Sequence, residues 1–374
     1  MQPLRIGLVG AGGRARAFDR VISSRDDVTI AAVCDVDLYD DGVLDEAANA
    51  LDADEAYRDY CAMLVDADLD AVVIGTPMHL HATQAIAALE RDLHVLSEVP
   101  AGVGIGECRD LVAAAERSAG SYMLAENYIY MRQNRHVEQL VEAGLFGDIY
   151  YAEAEYLHEL KALSDATPWR RVWSRDRPGV TYPTHCLGPV LRWFGDDRID
   201  QVACVGAGTD YSDGHGDSAA RWASTVLLGR TERDRLVKVR YDATSERPHA
   251  MDNYQLQGTT GAYESARAPG EHNKIWLDAF EEAESSHDYA WLDLAELDQH
   301  LPSEWTDPPA AVADAGHGGG DFFVCSAFLD AVQAGESPPI DVHAAMDMTL
   351  PGLASIESAR NDGAWTGVPN SRCW

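Results

Sequence analysis

Residues 4–15 read LRIGLVGAGGRA. Leu4, Ile6, Leu8 and Val9 make a short apolar strand that runs straight into Gly10-Ala11-Gly12-Gly13-Arg14-Ala15. The spacing is G-x-G-x-x-A. In a strand–turn–helix unit, Gly10 allows the tight turn and Gly12 lets a diphosphate approach the backbone. Gly13 and Arg14 complete that loop, and Ala15 lets the helix pack close to the strand. The helix start turns its unpaired N–H groups and positive dipole end toward the phosphates. A second strand, residues 28–34, ends in Asp35, about 20 residues beyond the glycines, as a dinucleotide site requires. A carboxylate there binds both ribose hydroxyls and repels a 2′-phosphate, so NAD(H) is expected rather than NADP(H). The plainer alternative is a strand-end acid left in solvent.

The chain has 374 residues, enough for two domains of ordinary size. It holds no run of about 18 apolar residues, and no basic-plus-apolar leader precedes Leu4, so a soluble, cytoplasmic protein is expected. Its 7 cysteines are scattered without a C-x-x-C pair, and their odd number suggests neither a disulfide framework nor a zinc site. Charge is the extreme feature: 62 Asp and Glu against 29 Lys and Arg, net −33. Lys161, Lys238 and Lys274 are the only lysines. So acidic a surface repels polyanions and makes nucleic acid and anionic membrane poor partners. The acids are dispersed along the chain, which suggests a halophile's cytosol, where concentrated salt screens the self-repulsion. An ordinary acidic protein is the alternative.

Residues 1–125 alternate strand and helix. Strands are expected at residues 4–9, 28–34, 71–74, 94–96 and 122–124, and helices near 14–23, 43–51, 60–65, 79–90 and 105–117. Residues 71–74, Ala-Val-Val-Ile, form a continuous apolar run closed by Gly75-Thr76-Pro77, the pattern of a strand buried on both faces. This alternation predicts an N-terminal Rossmann domain with a doubly wound parallel sheet over residues 1–125. From residue 126 the pattern changes. A helix over 133–143 closes on Gly144, and another starts near His185. Strands are expected at 149–156, 201–205, 222–228, 236–241 and 254–257. Such runs of strands predict an α+β domain, residues 126–374, on a large, mostly antiparallel open sheet. Residues 278–320, acidic and rich in Pro and Gly, read as a long surface loop. Two late helices, near 322–334 and 344–360, are expected to pack back on the first domain.

Three motifs stand in order: Gly10-x-Gly12-x-x-Ala15, Gly75-Thr76-Pro77-x-His79-x-His81 and Glu98-Val99-Pro100-Ala101-Gly102. With the two-domain pattern they resemble the Gfo/Idh/MocA oxidoreductase family over nearly the whole chain. The resemblance implies NAD(P) binding, with Thr76, Pro77, His79, His81 and Glu98 at the cofactor, and action on sugars, cyclitols or related compounds. His79 and His81 also invite a metal, but no third ligand is evident and none is expected. Most members carry a lysine where Val99 stands, which helps move the proton of the hydroxyl being oxidised. With His185 aligned on the family histidine, Thr181 replaces a family Asp. Val99 cannot transfer a proton, so a plain alcohol dehydrogenation needs another base.

The departures have a pattern of their own. Ala125-Glu126-Asn127-Tyr128, Glu155-Tyr156-Leu157-His158, Trp169-Arg170-Arg171 and the stretch from Thr181 through Tyr182 and His185 to Pro189 resemble one branch, glycoside hydrolase family 109. That branch uses tightly held NAD to cleave a glycosidic bond without net redox change. The similarity implies that NAD takes a hydride from C3 of the sugar, and that the resulting ketone acidifies the C2 proton. A base removes that proton, the C1 group is eliminated, water adds, and the hydride returns. No pair of glycosidase carboxylates is needed. By position, His185 matches the histidine expected as base for the hydride step. Tyr156 matches the residue that works on the C2 proton. A tyrosine, with a pKa of about 10, needs a cationic or hydrogen-bonding neighbour for that task. Arg170 and Tyr182 match substrate-holding positions, Glu126 an orienting one with Asn127 beside it, and Tyr254 is expected to face the site from the large sheet. Each has a plainer alternative: a core tyrosine for Tyr156 and Tyr254, a helix-start histidine for His185, a surface ion pair for Arg170.

Three functions stay open. The first is a glycosidase that recycles its NAD. The second is a net NAD-dependent sugar dehydrogenase with His185 or Tyr156 as base. The third is a non-catalytic sugar and nucleotide sensor. In each the small-molecule partner is a sugar or glycoside, and the resemblance implies a homodimer or homotetramer.

Overall fold

A computed structural model describes residues 2–11, 14–36, 41–167, 169–170, 177–195, 197–208 and 222–374. Gly12 and Gly13 of the glycine-rich turn, and Arg171, lie outside the described residues. The chain forms two compact units that alternate in sequence. The first comprises Met1–Tyr130, Pro309–Thr349 and Ser371–Trp374; the second comprises Met131–Pro308 and Leu350–Asn370.

In the first unit, β1 (Leu4–Val9), β2 (Val28–Cys34), β3 (Glu55–Tyr57), β4 (Ala71–Ile74), β5 (His94–Ser97) and β6 (Tyr122–Leu124) form one sheet. Their order is β3-β2-β1-β4-β5-β6, and all pairings are parallel. The strand order reverses between β1 and β4, and open sheets of this type bind ligands outside the strand ends at that point. Gly10 and Gly75 follow those two strands. All four residues of β4 have 0% exposure, as a strand covered on both faces requires. Each Val or Ile so buried contributes about 1.5–3 kcal/mol. The helix Ile105–Arg117 buries Cys108, Leu111, Val112 and Ala114, spaced to one helical face. Residues 14–23 are not one α-helix, as the sequence reading had them. Arg14–Phe18 is wound as a 3-10 turn and only Asp19–Ser23 is α-helical. Tight first turns of this kind are common at helix starts.

In the second unit, β7 (Ile149–Leu157), β8 (Ile199–Ala207), β9 (Ser224–Thr231), β10 (Leu236–Asp242), β11 (Ala250–Gly258), β12 (Gly261–Glu264), β13 (Lys274–Leu277), β14 (Leu292–Asp293) and β15 (Thr366–Gly367) form a second sheet. Their order among the described residues is β14-β13-β12-β11-β7-β10-β9-β8-β15. Only the β7–β10 pairing is parallel; the others are antiparallel. One face of β7 carries Ala152, Ala154 and Tyr156. The other carries Glu153 and Glu155, paired with Lys238 and with Arg240 and Arg267. Residues 278–320 hold more order than a loop. A capping box at Asp293 and Glu296 opens the turn Leu294–His300, which buries Leu294 and Leu297. The elements there are too short for hydrophobic periodicity to register. No helix among the described residues is long and apolar enough to cross a membrane.

Candidate active site

The nucleotide end of the first unit is built from backbone that approaches backbone. Gly10 has φ +88°, and a Cβ there would lie 2.8 Å from the Gly75 carbonyl oxygen. A Cβ on Gly75 would lie 2.2 Å from the Ala15 nitrogen. Ala15 itself has 0% exposure, so the turn is seated directly on the end of β4. Asp35 closes β2 at 8% exposure. A glycine at positive φ, a close-packed Ala and a carboxylate at the end of the second strand are features that a dinucleotide diphosphate and ribose need. The described residues therefore fit a nicotinamide dinucleotide.

Thr76 donates through Oγ1 to Gln84 Oε1 at 2.5 Å. His79 is exposed, whereas His81 is 1% exposed, with Nδ1 2.9 Å from the Pro100 carbonyl and Nε2 2.8 Å from the Thr76 carbonyl. His81 thus staples the loop after β4, which includes Pro77, to the loop after β5. Burial lowers its pKa, while the two carbonyl acceptors work against that lowering. The two histidines of the H-x-H motif have different environments, and no cluster of three metal-ligating side chains occurs among the described residues.

Arg14 sits at the centre of a second network. Its Nε lies 2.9 Å from Glu98 Oε1, and its two terminal nitrogens grip Asp321. Asp321 also accepts from Asn127 Nδ2 at 2.6 Å and lies 3.2 Å from His317 Nδ1. Glu126 has 0% exposure, and its Oε1 accepts from the Tyr128 backbone N–H at 3.1 Å. Glu126 and Asn127 thus hold the chain after β6. Asp321 and His317 were not anticipated from sequence. They form a carboxylate–imidazole pair able to hold or pass a proton, on a histidine whose side chain is 33% exposed.

In the second unit, strand geometry gathers the remaining residues. Tyr156 and His158 are two apart at the end of β7, so they leave the same face. The Tyr156 hydroxyl lies 3.0 Å from His158 Nδ1. The parallel register pairs Tyr156 with Tyr241, and their rings stack at 6.3 Å. Tyr182 and His185 complete the group: their ring centroids are 4.9 Å apart, and each lies 5.5 Å from that of Tyr156. His185 belongs to the helix Thr184–Phe194, and the loop leading into it is fixed by the Val180 N–H donating to Ser355 Oγ at 2.9 Å.

Arg170 donates to Thr167 Oγ1 at 3.0 Å and lies 4.2 Å from the centroid of the Trp169 ring. Burial lowers its pKa, and the phenols of Tyr182, Tyr156 and Tyr241 oppose that lowering. No carboxylate pairs with it among the described residues. The surface ion pair weighed as its plainer role is therefore absent there. Each lysine, in contrast, is matched by an acid: Lys161 by Glu246 at 2.6 Å, Lys274 by Glu264 at 3.2 Å, and Lys238 by Glu153. Val99 is 2% exposed.

Tyr254, expected to face the site from the large sheet, lies beneath the helix that carries His185. It is 2% exposed, and its hydroxyl donates to the His185 carbonyl at 2.6 Å. Its register opposite Ala154 puts it under the helix that carries His185, where it braces that helix. The sequence reading left out His158, although its spacing from Tyr156 marked it. Tyr241 carried no local signal, because only the β7–β10 register brings it in.

Residues 130–371 match the C-terminal domain of glycosyl hydrolase 109, and residues 4–126 match the NAD-binding Rossmann fold of the Gfo/Idh/MocA oxidoreductase family. A glycosyl hydrolase family 109 protein of Saccharopolyspora erythraea is 30% identical over 99% of this chain and 83% of its own. One from Shewanella pealeana is 30% identical over 99% of this chain and 88% of its own. The chain belongs to glycosyl hydrolase family 109. As a family 109 protein it is an NAD-dependent enzyme on an oxidoreductase scaffold. Its fold is shared with an oxidoreductase domain protein of Kribbella flavida, with a TM-score of 0.81 at 20% identity over 99% and 100% of the two chains. It is shared as well with levoglucosan dehydrogenase in complex with NADH and levoglucosan, with a TM-score of 0.80 at 19% identity over 98% and 100%. At such identity the family 109 chain has the fold in common with these proteins.

Proposed function

We propose that this enzyme cleaves a sugar glycoside through transient oxidation at C3, with NAD retained and regenerated. The observation that carries the reading is the cluster of Tyr156, Tyr182 and His185, with the Tyr182 and His185 ring centroids each 5.5 Å from that of Tyr156. Half-buried Arg170, which has no carboxylate partner among the described residues, adds a cation for polar sugar groups.

NAD, when bound, supplies the hydride acceptor and later the donor. The side chains supply the proton chemistry. His185 takes the proton of the C3 hydroxyl. With a ketone at C3, the C2 proton becomes acidic, and Tyr156 receives it. Arg170 favours the negative charge that the phenol oxygen carries as it gives up its own proton to accept the one from C2, and also holds polar sugar groups with Tyr182. The electron pair at C2 then expels the C1 group, and water adds at C1. Asp35 selects NAD over NADP by repelling a 2′-phosphate. The enzyme works in the cytoplasm, where NAD is available.

The test is incubation of the purified protein, without added NAD, with 4-nitrophenyl glycosides in heavy water and high salt. The expected result is nitrophenol release without net NADH, and deuterium at C2 of the sugar. Steady NADH accumulation would point instead to a net dehydrogenase, and product without deuterium at C2 would overturn the elimination. His185→Ala and Tyr156→Phe each lower kcat by about 100-fold or more.

A further inference from the structure

We propose that Tyr156 and His158 form a proton relay, which carries the proton removed at C2 from the buried phenol to solvent beside His249. The inference rests on the role given to Tyr156 above. Its geometry is graded. Tyr156 is 7% exposed, His158 is half-buried and His249 is exposed. The Tyr156 hydroxyl lies 3.0 Å from His158 Nδ1, and the rings of His158 and His249 meet edge-on at 4.5 Å. The His158 main chain is fixed by its N–H donating to the Asp242 carbonyl at 2.8 Å, which prolongs the β7–β10 ladder. The side chain that receives the phenol proton is therefore held by the sheet itself.

A neutral imidazole has one accepting and one donating nitrogen, which is what a relay requires. The step balances without net charge on the relay. The C2–H bond breaks, and its electron pair stays on the ketone-activated carbon. Tyr156 Oη gains that proton and passes its own to His158 Nδ1. His158 Nε2 then releases its proton to water beside His249. Both residues end neutral, with the histidine in its other tautomer.

The surroundings keep His158 in the neutral form. Burial is the largest influence, and with His249, His185 and Arg170 it brings the pKa down to about 4, against Glu159. Those four groups and Tyr156 are the titratable and charged neighbours of the ring among the described residues. Near neutral pH the Nδ1 lone pair is thus available. As pH falls through about 4 the ring becomes a cation and the acceptor is lost.

The experiment uses the full chain with its bound nucleotide and a 4-nitrophenyl glycoside that it turns over. His158→Ala lowers kcat about 100-fold with little change in KM, and added imidazole restores part of the loss. His158→Asn keeps an acceptor near the Nδ1 position but cannot pass a proton on, and it is equally slow. Wild-type turnover in either variant, with Tyr156→Phe inactive, overturns the relay and leaves the role of Tyr156 standing. Full turnover in Tyr156→Phe overturns that role and the relay with it. A folded, slow His158→Ala that imidazole does not rescue marks a structural role and also overturns the relay. Nitrogen NMR of histidine-labelled protein tests the same idea without turnover, with His158→Asn assigning the signal. At neutral pH the His158 ring is uncharged and carries its proton on Nε2; a proton on Nδ1, or a cationic ring, contradicts the relay.

Discussion

Arg14 and Asp321 are 307 positions apart in the chain and meet in a two-pronged ion pair, Nη1 to Oδ2 at 2.9 Å and Nη2 to Oδ1 at 2.5 Å. Asp321 has 0% exposure and stands in the first turn of the helix Gly320–Ala334. The glycine-rich loop of the first unit is thereby tied to a helix that follows it by three hundred residues. A Cβ on Gly320 would lie 2.5 Å from the Asn127 carbonyl oxygen, so the same helix start is packed tightly against the chain after β6.

Asp321→Asn breaks the buried two-pronged pair and leaves Glu98 as the remaining carboxylate on Arg14, at a cost of about 2 kcal/mol. Burial raises the pKa of Asp321, but hydrogen bonds from His317 and Arg14 outweigh it and hold the carboxyl well below the ordinary range. A depressed pKa contributes stability in full above the unfolded value of about 3.9, and loses it as pH falls through the native value. Melting curves should therefore separate wild type from Asp321→Asn widely at neutral pH and progressively less below about pH 4. A gap that is constant with pH contradicts the ion pair.

Gly10→Ala places a side chain at φ +88° with its Cβ 2.8 Å from the Gly75 oxygen. The backbone conformation alone costs about 1–2 kcal/mol, and the close approach adds to it. The variant should melt lower and carry less nucleotide through purification, measured by chromatography of the acid-released fraction. Undiminished nucleotide would show that the turn is not the binding loop.

Asp35→Asn removes the charge that repels a 2′-phosphate. The ratio of NADP to NAD affinity, read by calorimetry on nucleotide-stripped protein, should rise about tenfold, or 1.4 kcal/mol. An unchanged ratio assigns the preference elsewhere.

The net charge of −33 predicts a melting temperature that climbs with KCl from low to multimolar concentration, because salt screens repulsion between dispersed acids. Absence of such a rise sinks the halophilic reading and leaves an ordinary acidic protein.

Much of the fold follows from periodicity. Ile105–Arg117 and Tyr122–Leu124 lie where the apolar spacing puts them, because a buried face imposes its period on the residues that fill it. The 3-10 turn Arg14–Phe18 and the short elements between residues 278 and 320 were not legible. Too few residues define them for any period to emerge. In the site, Tyr156 was singled out from sequence, whereas His158 was not, although strand alternation puts it on the same face. The bracing role of Tyr254 was not, because a strand tyrosine looks the same in sequence whether its hydroxyl meets a ligand or a carbonyl.

The sequence by itself determined the glycine-rich turn, the alternation that makes two sheets, the acidic surface, and the loss of a lysine at Val99. These are properties of adjacent residues and of composition, and local sterics and charge settle them. Tertiary structure alone decided that Tyr241 stands beside Tyr156, that Tyr254 holds His185, that Arg14 meets Asp321, and that Arg170 lacks a carboxylate partner among the described residues. Those pairings depend on strand register and on closing long stretches of chain. The free energy of such contacts comes from the fold as a whole, and no short window of sequence contains it.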